Sequence, residues 1–145
     1  MRRAAFLVLL TLASPAAAEV RIADGDTIAI DGERIRLFGI DAPERAQPGG
    51  SEATTTLRRL IGAATPRCQR VDTDRYGRTV ALCAVGGADL SLAMVRAGWA
   101  VAWCYYLRRQ RPALLAPFRR AEAEAKAARR GMWARPFRAW REWGC

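Results

Sequence analysis

Short apolar-rich segments at residues 20–23 and 27–30, split by the turn residues Asp24-Gly25-Asp26, read as two pieces of strand. Asp31-Gly32 is a hairpin signal, and it leads into residues 34–38, where arginines alternate with Ile35, Leu37 and Phe38 at a period of two. Pro48-Gly49-Gly50 marks a loop, after which Ser51 is the expected N-cap of a helix that starts at Glu52-Ala53 and ends near Gly62 or Ala64. Residues 67–72 and 78–85 form a second hairpin around residues 72–77. Asp89 caps a short helix over residues 90–97, with Gly98 at its left-handed end. Residues 99–103 look extended and buried. A last helix is expected to start near Pro117 and stop at Gly131, with Glu122 and Lys126 as an i,i+4 pair on it. Five short strands and two or three helices, with no repeat and no interdomain linker, predict an α+β domain whose sheet closes into a small barrel.

The first 18 residues stand apart. Arg2 and Arg3 precede an apolar run too short to span a bilayer, and Ala16-Ala17-Ala18 offers an A-x-A cleavage site. This is the pattern of a secretory signal peptide, so the mature chain is expected to be exported, to a periplasm or to the medium. Its removal leaves 127 of the 145 residues, enough for one domain with a modest core. No later apolar run is long enough for a membrane span.

Charge and composition narrow the chemistry. The whole chain carries a net charge of +10, about +8 without Arg2 and Arg3, and Lys126 is the only lysine. Arginine offers a planar fork that grips phosphate oxygens in pairs, so a polyanion such as nucleic acid is the natural partner. Histidine is absent, which excludes a histidine base, a histidine-held metal and a phosphohistidine intermediate. A hydrolase built from this composition uses a carboxylate base, and any metal is held by oxygen.

Four cysteines in an exported chain point to disulfides, and without a C-x-x-C or a histidine a zinc site is not expected. Cys68 and Cys83 lie symmetrically about the Arg75-Tyr76 turn, which favours a cross-strand bridge contributing roughly 3 kcal/mol. By elimination Cys104 pairs with Cys145, pinning the C-terminus to the body.

Several acidic residues stand at strand ends, where carboxylates often do no more than form turns. Asp41-Ala42-Pro43-Glu44 differs, because Pro43 fixes its own φ and pushes Ala42 toward extended geometry. That turn holds Asp41 and Glu44 in a fixed relation directly after the strand bearing Arg36. Arg78 in turn follows the Arg75-Tyr76-Gly77 turn and opens a strand into the core. Arginines flanking carboxylates suit phosphodiester cleavage, where charge builds on the phosphoryl oxygens.

Asp24-Gly25-Asp26-Thr27, the run R-L-F-G-I-D-A-P-E from Arg36 to Glu44, and Asp74-Arg75-Tyr76-Gly77-Arg78 together resemble the signature of the staphylococcal nuclease (thermonuclease) family. The segment L-A-M-V-R-A-G from Leu92 to Gly98 and the alanine-rich helix ending at Gly131-Met132-Trp133 are similar to its later parts, so the likeness covers about residues 20–133. The resemblance implies a five-stranded OB-fold barrel with about three helices over residues 19–133, and calcium-dependent hydrolysis of DNA and RNA leaving 3′-phosphates. It implies Asp26, Asp41 and the carbonyl of Ala42 as calcium ligands, and Glu44 as the general base or the group that orients the water. It implies Arg36 and Arg78 on the scissile phosphate, Arg78 nearer the leaving oxygen. An all-oxygen site of this kind suits calcium better than a softer metal.

Arg75 stands where the family's reference member has lysine, and Ala42 where it has threonine; both roles, a phosphate contact and a backbone one, survive the exchange. The loop after Glu44 is shorter than in that member. Tyr105 and Tyr106 both lie near the place of its substrate-stacking tyrosine, as does Cys104. Residues 134–145 form an Arg/Trp-rich tail expected to pack on the domain. No protein partner or oligomer signal is evident, so a monomer is expected. Convergence of Asp26 and Arg36 also predicts a register. A two-residue Asp31-Gly32 turn puts them on opposite faces, whereas a three-residue loop with left-handed Gly32 puts them on one. The second arrangement, or a compensating bulge near Asp26, is the expectation.

Overall fold

The computed structural model describes residues 18–134 and residue 145. The 1–18 leader and the 134–145 tail therefore lie almost wholly outside the described residues.

Strands β1 (Val20–Ile22), β2 (Thr27–Ile30) and β3 (Glu33–Leu37) form an antiparallel meander. A two-residue turn joins β2 to β3: Ile30 faces Glu33, and Asp31 and Gly32 both take positive φ, 49° and 85°. This type I′ geometry follows the right-handed twist of the strands, and aspartate tolerates the left-handed region better than most residues. The three-residue loop expected from the sequence is thus corrected. Asp26 and Arg36 converge by another route, a bend over residues 24–26 that takes Asp26 out of the strand alternation.

After the two-residue strand β4 (Ile40–Asp41) comes α1 (Gly50–Ile61). Ser51 does not cap it: the helix starts two residues before the expected Glu52, behind left-handed Gly49, with no side-chain cap. Strands β5 (Arg67–Thr73) and β6 (Thr79–Val85) make the expected second hairpin, with Cys68 opposite Cys83 and a disulfide between them. Strand β6 then pairs in parallel with β3, Ile35 beside Thr79 and Arg36 beside Val80. The main sheet runs β1-β2-β3-β6-β5, and β7 (Ala88–Asp89) adds to β6.

Helix α2 (Leu90–Arg96) is capped by the Asp89 carboxylate, which accepts from the Leu92 N–H at 2.8 Å. Of the extended stretch expected at 99–103, only β8 (Val101–Ala102) is strand, pairing with β4 as a separate two-stranded ladder. The architecture is α+β, as expected, but among the described residues the sheet stays open rather than closing into a barrel. The described residues hold four α-helices, where about three were expected.

The extra helix is α3 (Cys104–Gln110), a seven-residue segment with no side-chain cap at Trp103 to announce it. Helix α4 (Pro112–Ala127) begins five residues before the expected start, with Pro112 in its first turn and Pro117 inside it. A proline interior to a helix loses one backbone bond; burial of Phe118, Ala121 and Ala125 against the core offsets that loss. Glu122 is buried. One of its oxygens accepts from the Ala102 N–H at 2.8 Å while the other pairs with Lys126, so the i,i+4 pair also fastens α4 to β8. The core lies between sheet and helices, around Ile28, Leu37, Phe38, Leu57, Met94 and Phe118. The second disulfide joins Cys104, the first residue of α3, to Cys145.

Candidate active site

The site forms where the start of β2, the end of β3, the 41–44 turn and the 74–78 turn meet. Gly25 makes the first of these possible. A Cβ there would stand 2.7 Å from that of Ala53 and 2.8 Å from that of Ala42, so only glycine lets the bend lie this close to α1 and the turn. Asp24 stabilises the bend by accepting from the Asp26 N–H at 3.0 Å.

Asp26 is buried and fully engaged. One oxygen accepts from the Thr27 hydroxyl at 3.0 Å; the other accepts from the Ala42 N–H at 2.8 Å and pairs with the Arg36 guanidinium. The other arm of Arg36 donates to Asp41 at 2.9 Å. One guanidinium thus bridges both carboxylates proposed by resemblance as metal ligands. Burial pushes the Asp26 carboxyl up to about 7, with Arg36 opposing and Asp24 and Asp41 adding to the rise. Burial also raises Asp41, again against Arg36. Two carboxylates sharing one cation leave this corner short of positive charge, and the groups they offer a metal are oxygens. That chemistry fits a hard divalent ion. Among the described residues no group of three or more acidic, cysteine or histidine side chains is assembled to hold a metal alone, so a backbone carbonyl such as that of Ala42 is needed to complete a set.

Glu44 follows the buried Pro43 and points outward. Its backbone, not its side chain, is tied down: its N–H donates to the Gln47 side chain at 2.8 Å and its carbonyl accepts from the Gln47 N–H at 2.8 Å. Among the described residues the Glu44 carboxylate has no hydrogen bond or ion pair, which leaves it available to a water. Gly50 closes this turn, its N–H on the Gln47 carbonyl at 2.9 Å, and a Cβ on Gly50 would overlap the carbonyl oxygen of Glu44. Gly50→Ala is therefore expected to displace Glu44 and lower turnover by about 10²-fold, more than its effect on a thermal melt would suggest. An active, unshifted Gly50→Ala protein would show that the turn has slack.

Arg78 is held on one edge. Its Nε donates to Asp74 at 2.7 Å, its backbone N–H donates to the other oxygen of Asp74 at 2.9 Å, and one terminal nitrogen lies 3.5 Å from the Thr27 hydroxyl. Asp74 also accepts from the Tyr76 N–H at 2.9 Å. Slight desolvation of Asp74 is outweighed by these hydrogen bonds, which hold its carboxyl below the usual carboxylate range. Arg78 lines a cleft of about 610 Å³ together with Arg36, Asp41, Glu44, Arg75 and Tyr106. Arg75 stacks over the Tyr76 ring at 4.8 Å and donates to its hydroxyl at 2.6 Å.

The two tyrosines now separate. Tyr106 lines the cleft with Trp103, their rings edge to face at 4.8 Å. Tyr105 lies further out, 59% exposed, with Arg109 over its ring at 5.4 Å. Asp26 and Ala42 sit behind the cleft wall rather than on it. Sequence reasoning missed the anchoring role of Asp74, although its place four residues before Arg78 was a signal, and the Trp103 wall, whose helix it did not foresee. It also missed the clasp between Gln110 and Asp72, 2.9 Å, which ties α3 to β5 across the cleft.

Comparison with known proteins gives the same answer as the geometry. The family described as staphylococcal nuclease homologue matches residues 34–135. The chain is 38% identical to the protein ParB of Escherichia coli, over 94% of this chain and 85% of that one. It is 36% identical to an uncharacterized endonuclease of Escherichia coli O157:H7, covering 79% and 74% of the two chains. A probable staphylococcal-like nuclease of rice, CAN1, is 37% identical over 86% of this chain, which spans only 36% of that longer protein. With the matched span running from β3 through the site to the end of the last described helix, the chain belongs to the staphylococcal nuclease family and carries its endonuclease-type fold.

Proposed function

We propose that this protein is an exported, calcium-dependent nuclease that hydrolyses phosphodiester bonds of DNA and RNA and leaves 3′-phosphates. One observation carries the reading: Arg36 clasps Asp26 and Asp41 beside an unengaged Glu44, and Arg78 faces the same cleft. Asp26, Asp41 and the Ala42 carbonyl would hold the calcium, which would add positive charge against the phosphate. Glu44 takes the proton from the attacking water. Arg36, beside the two carboxylates it bridges, and the edge of Arg78 away from Asp74 receive the charge that builds on the phosphoryl oxygens, with Arg78 toward the departing 5′ oxygen. Arg75 supplies a neighbouring phosphate contact, and Tyr106, with Tyr105 outside it, offers rings on which bases stack. Export is supported by the leader pattern and by two disulfides, which persist outside the cytoplasm. No helix among the described residues is long and apolar enough to cross a membrane.

The test is direct. Purified mature protein is incubated with plasmid DNA and with RNA in calcium, then with excess chelator. Degradation that stops on chelation and returns with calcium is the expected result. A mobility shift without cleavage would reduce the protein to a nucleic-acid-binding module, and cleavage indifferent to chelation would remove the metal.

A further inference from the structure

The strand that lies in the first cleft has to leave it, and a second groove opens at that point. This groove, about 690 Å³, shares Glu44, Tyr76 and Arg78 with the first and is walled beyond them by Glu33, Arg34 and Arg70. We infer that the nucleic-acid strand continues past Glu44 into this groove, where Arg34 and Arg70 grip phosphates beyond the bond that is cut. The inference rests on the nuclease reading of the first cleft and adds a binding site to it.

The fold accounts for both arginines. Along β3 the side chains alternate, so Arg34 shares a face with Arg36 while Ile35 and Leu37 enter the core. The parallel register of β3 with β6, Ile35 beside Thr79, places Arg34 alongside Arg78. On the neighbouring strand, the pairing of β5 slips between Arg70 and Asp72. Such a bulge re-aims the side chains around it.

Charge makes the groove distinctive. Among the described residues Arg34 has no hydrogen bond or ion pair, and Arg70 donates only to the neutral hydroxyl of Thr73. Glu33, the one new carboxylate, is occupied by the Thr79 hydroxyl at 2.6 Å. Two guanidinium forks with no carboxylate partner among the described residues thus extend the row of arginines begun by Arg36 and Arg78. Each fork matches a phosphate.

The experiment separates binding from turnover. In a Glu44→Gln background with calcium, fluorescein-labelled oligothymidylates of three and twelve nucleotides are titrated by anisotropy at several salt concentrations. Arg34→Gln/Arg70→Gln should lower affinity for the twelve-mer at least about tenfold, lower it less for the trimer, and reduce the log–log salt slope by about 1.4, two phosphate contacts at about 0.7 each. Arg119→Gln/Arg120→Gln on exposed faces of α4 removes the same charge elsewhere. The proposal is overturned if the groove variant binds the twelve-mer as its parent does, or if the α4 variant loses as much. Should the double variant fail a thermal melt, each single variant is expected to give half the slope change, and none from either refutes the groove. Plasmid cleavage by the wild-type protein, together with normal twelve-mer binding by the groove variant, sinks this inference alone. A wild-type protein that does not cleave, with a Glu44→Gln parent that does not bind, sinks the nuclease reading as well.

Discussion

Glu44→Gln is expected to reduce plasmid cleavage by about 10²–10⁴-fold, the contribution of a positioned general base. The structure makes this a clean substitution. Glutamine keeps the volume, the side chain is exposed, and the bonds that hold the turn come from the Glu44 backbone and Gln47. Circular dichroism, melting temperature and oligonucleotide affinity should therefore match the parent while turnover collapses. The effect belongs in kcat. A fall in affinity of similar size would mean that Glu44 positions substrate, and wild-type turnover would remove it from the chemistry altogether.

Arg78→Lys is expected to cost about 10²–10³-fold in kcat, although it preserves the charge. Arginine spends one edge on Asp74 and, in the proposed mechanism, has the other for the phosphate. Lysine has a single ammonium and must choose; docked on Asp74 it leaves the departing oxygen unsupported, and reaching for the phosphate it abandons the anchor. Asp74→Asn on an intact Arg78 should cost less, because the fork survives and only its aim loosens. Equal activity in Arg78→Lys would show that charge alone suffices at this position.

Much of this site was legible because it is written in local turns. Pro43 makes the 41–44 geometry a property of four residues, and Asp74 to Arg78 is a self-contained turn whose backbone bonds all lie within it. Cys68 and Cys83 could be paired because a hairpin places positions symmetrically about its turn. The failures share a cause. Whether Asp31-Gly32 forms a two- or three-residue turn is nearly balanced locally, and the bend at residues 24–26 compensates for the register actually taken. Helix α3 has no cap, while α4 carries two prolines that each resemble a start; tertiary burial of Leu107 and Phe118 decides both. Glu122 reads as a surface residue in its helix, and nothing nearby in sequence announces the Ala102 N–H it serves. The second groove was invisible for the same reason, since Arg34 and Arg70 meet only through pairing between distant strands.

That parallel pairing of β3 with β6 has a kinetic side. Ile35 and Thr79 are brought together across the whole of α1 and β5, so the ladder forms only after a long loop has closed against its entropy. The hairpins on either side are local and form without it. Arg36 and Arg78 belong to different hairpins, so a half-folded chain can possess both turns and still have no phosphate fork. Regain of cleavage during refolding consequently reports a non-local event, the pairing of the two hairpins. Activity, in this chain, is a clock for the joining of its two halves.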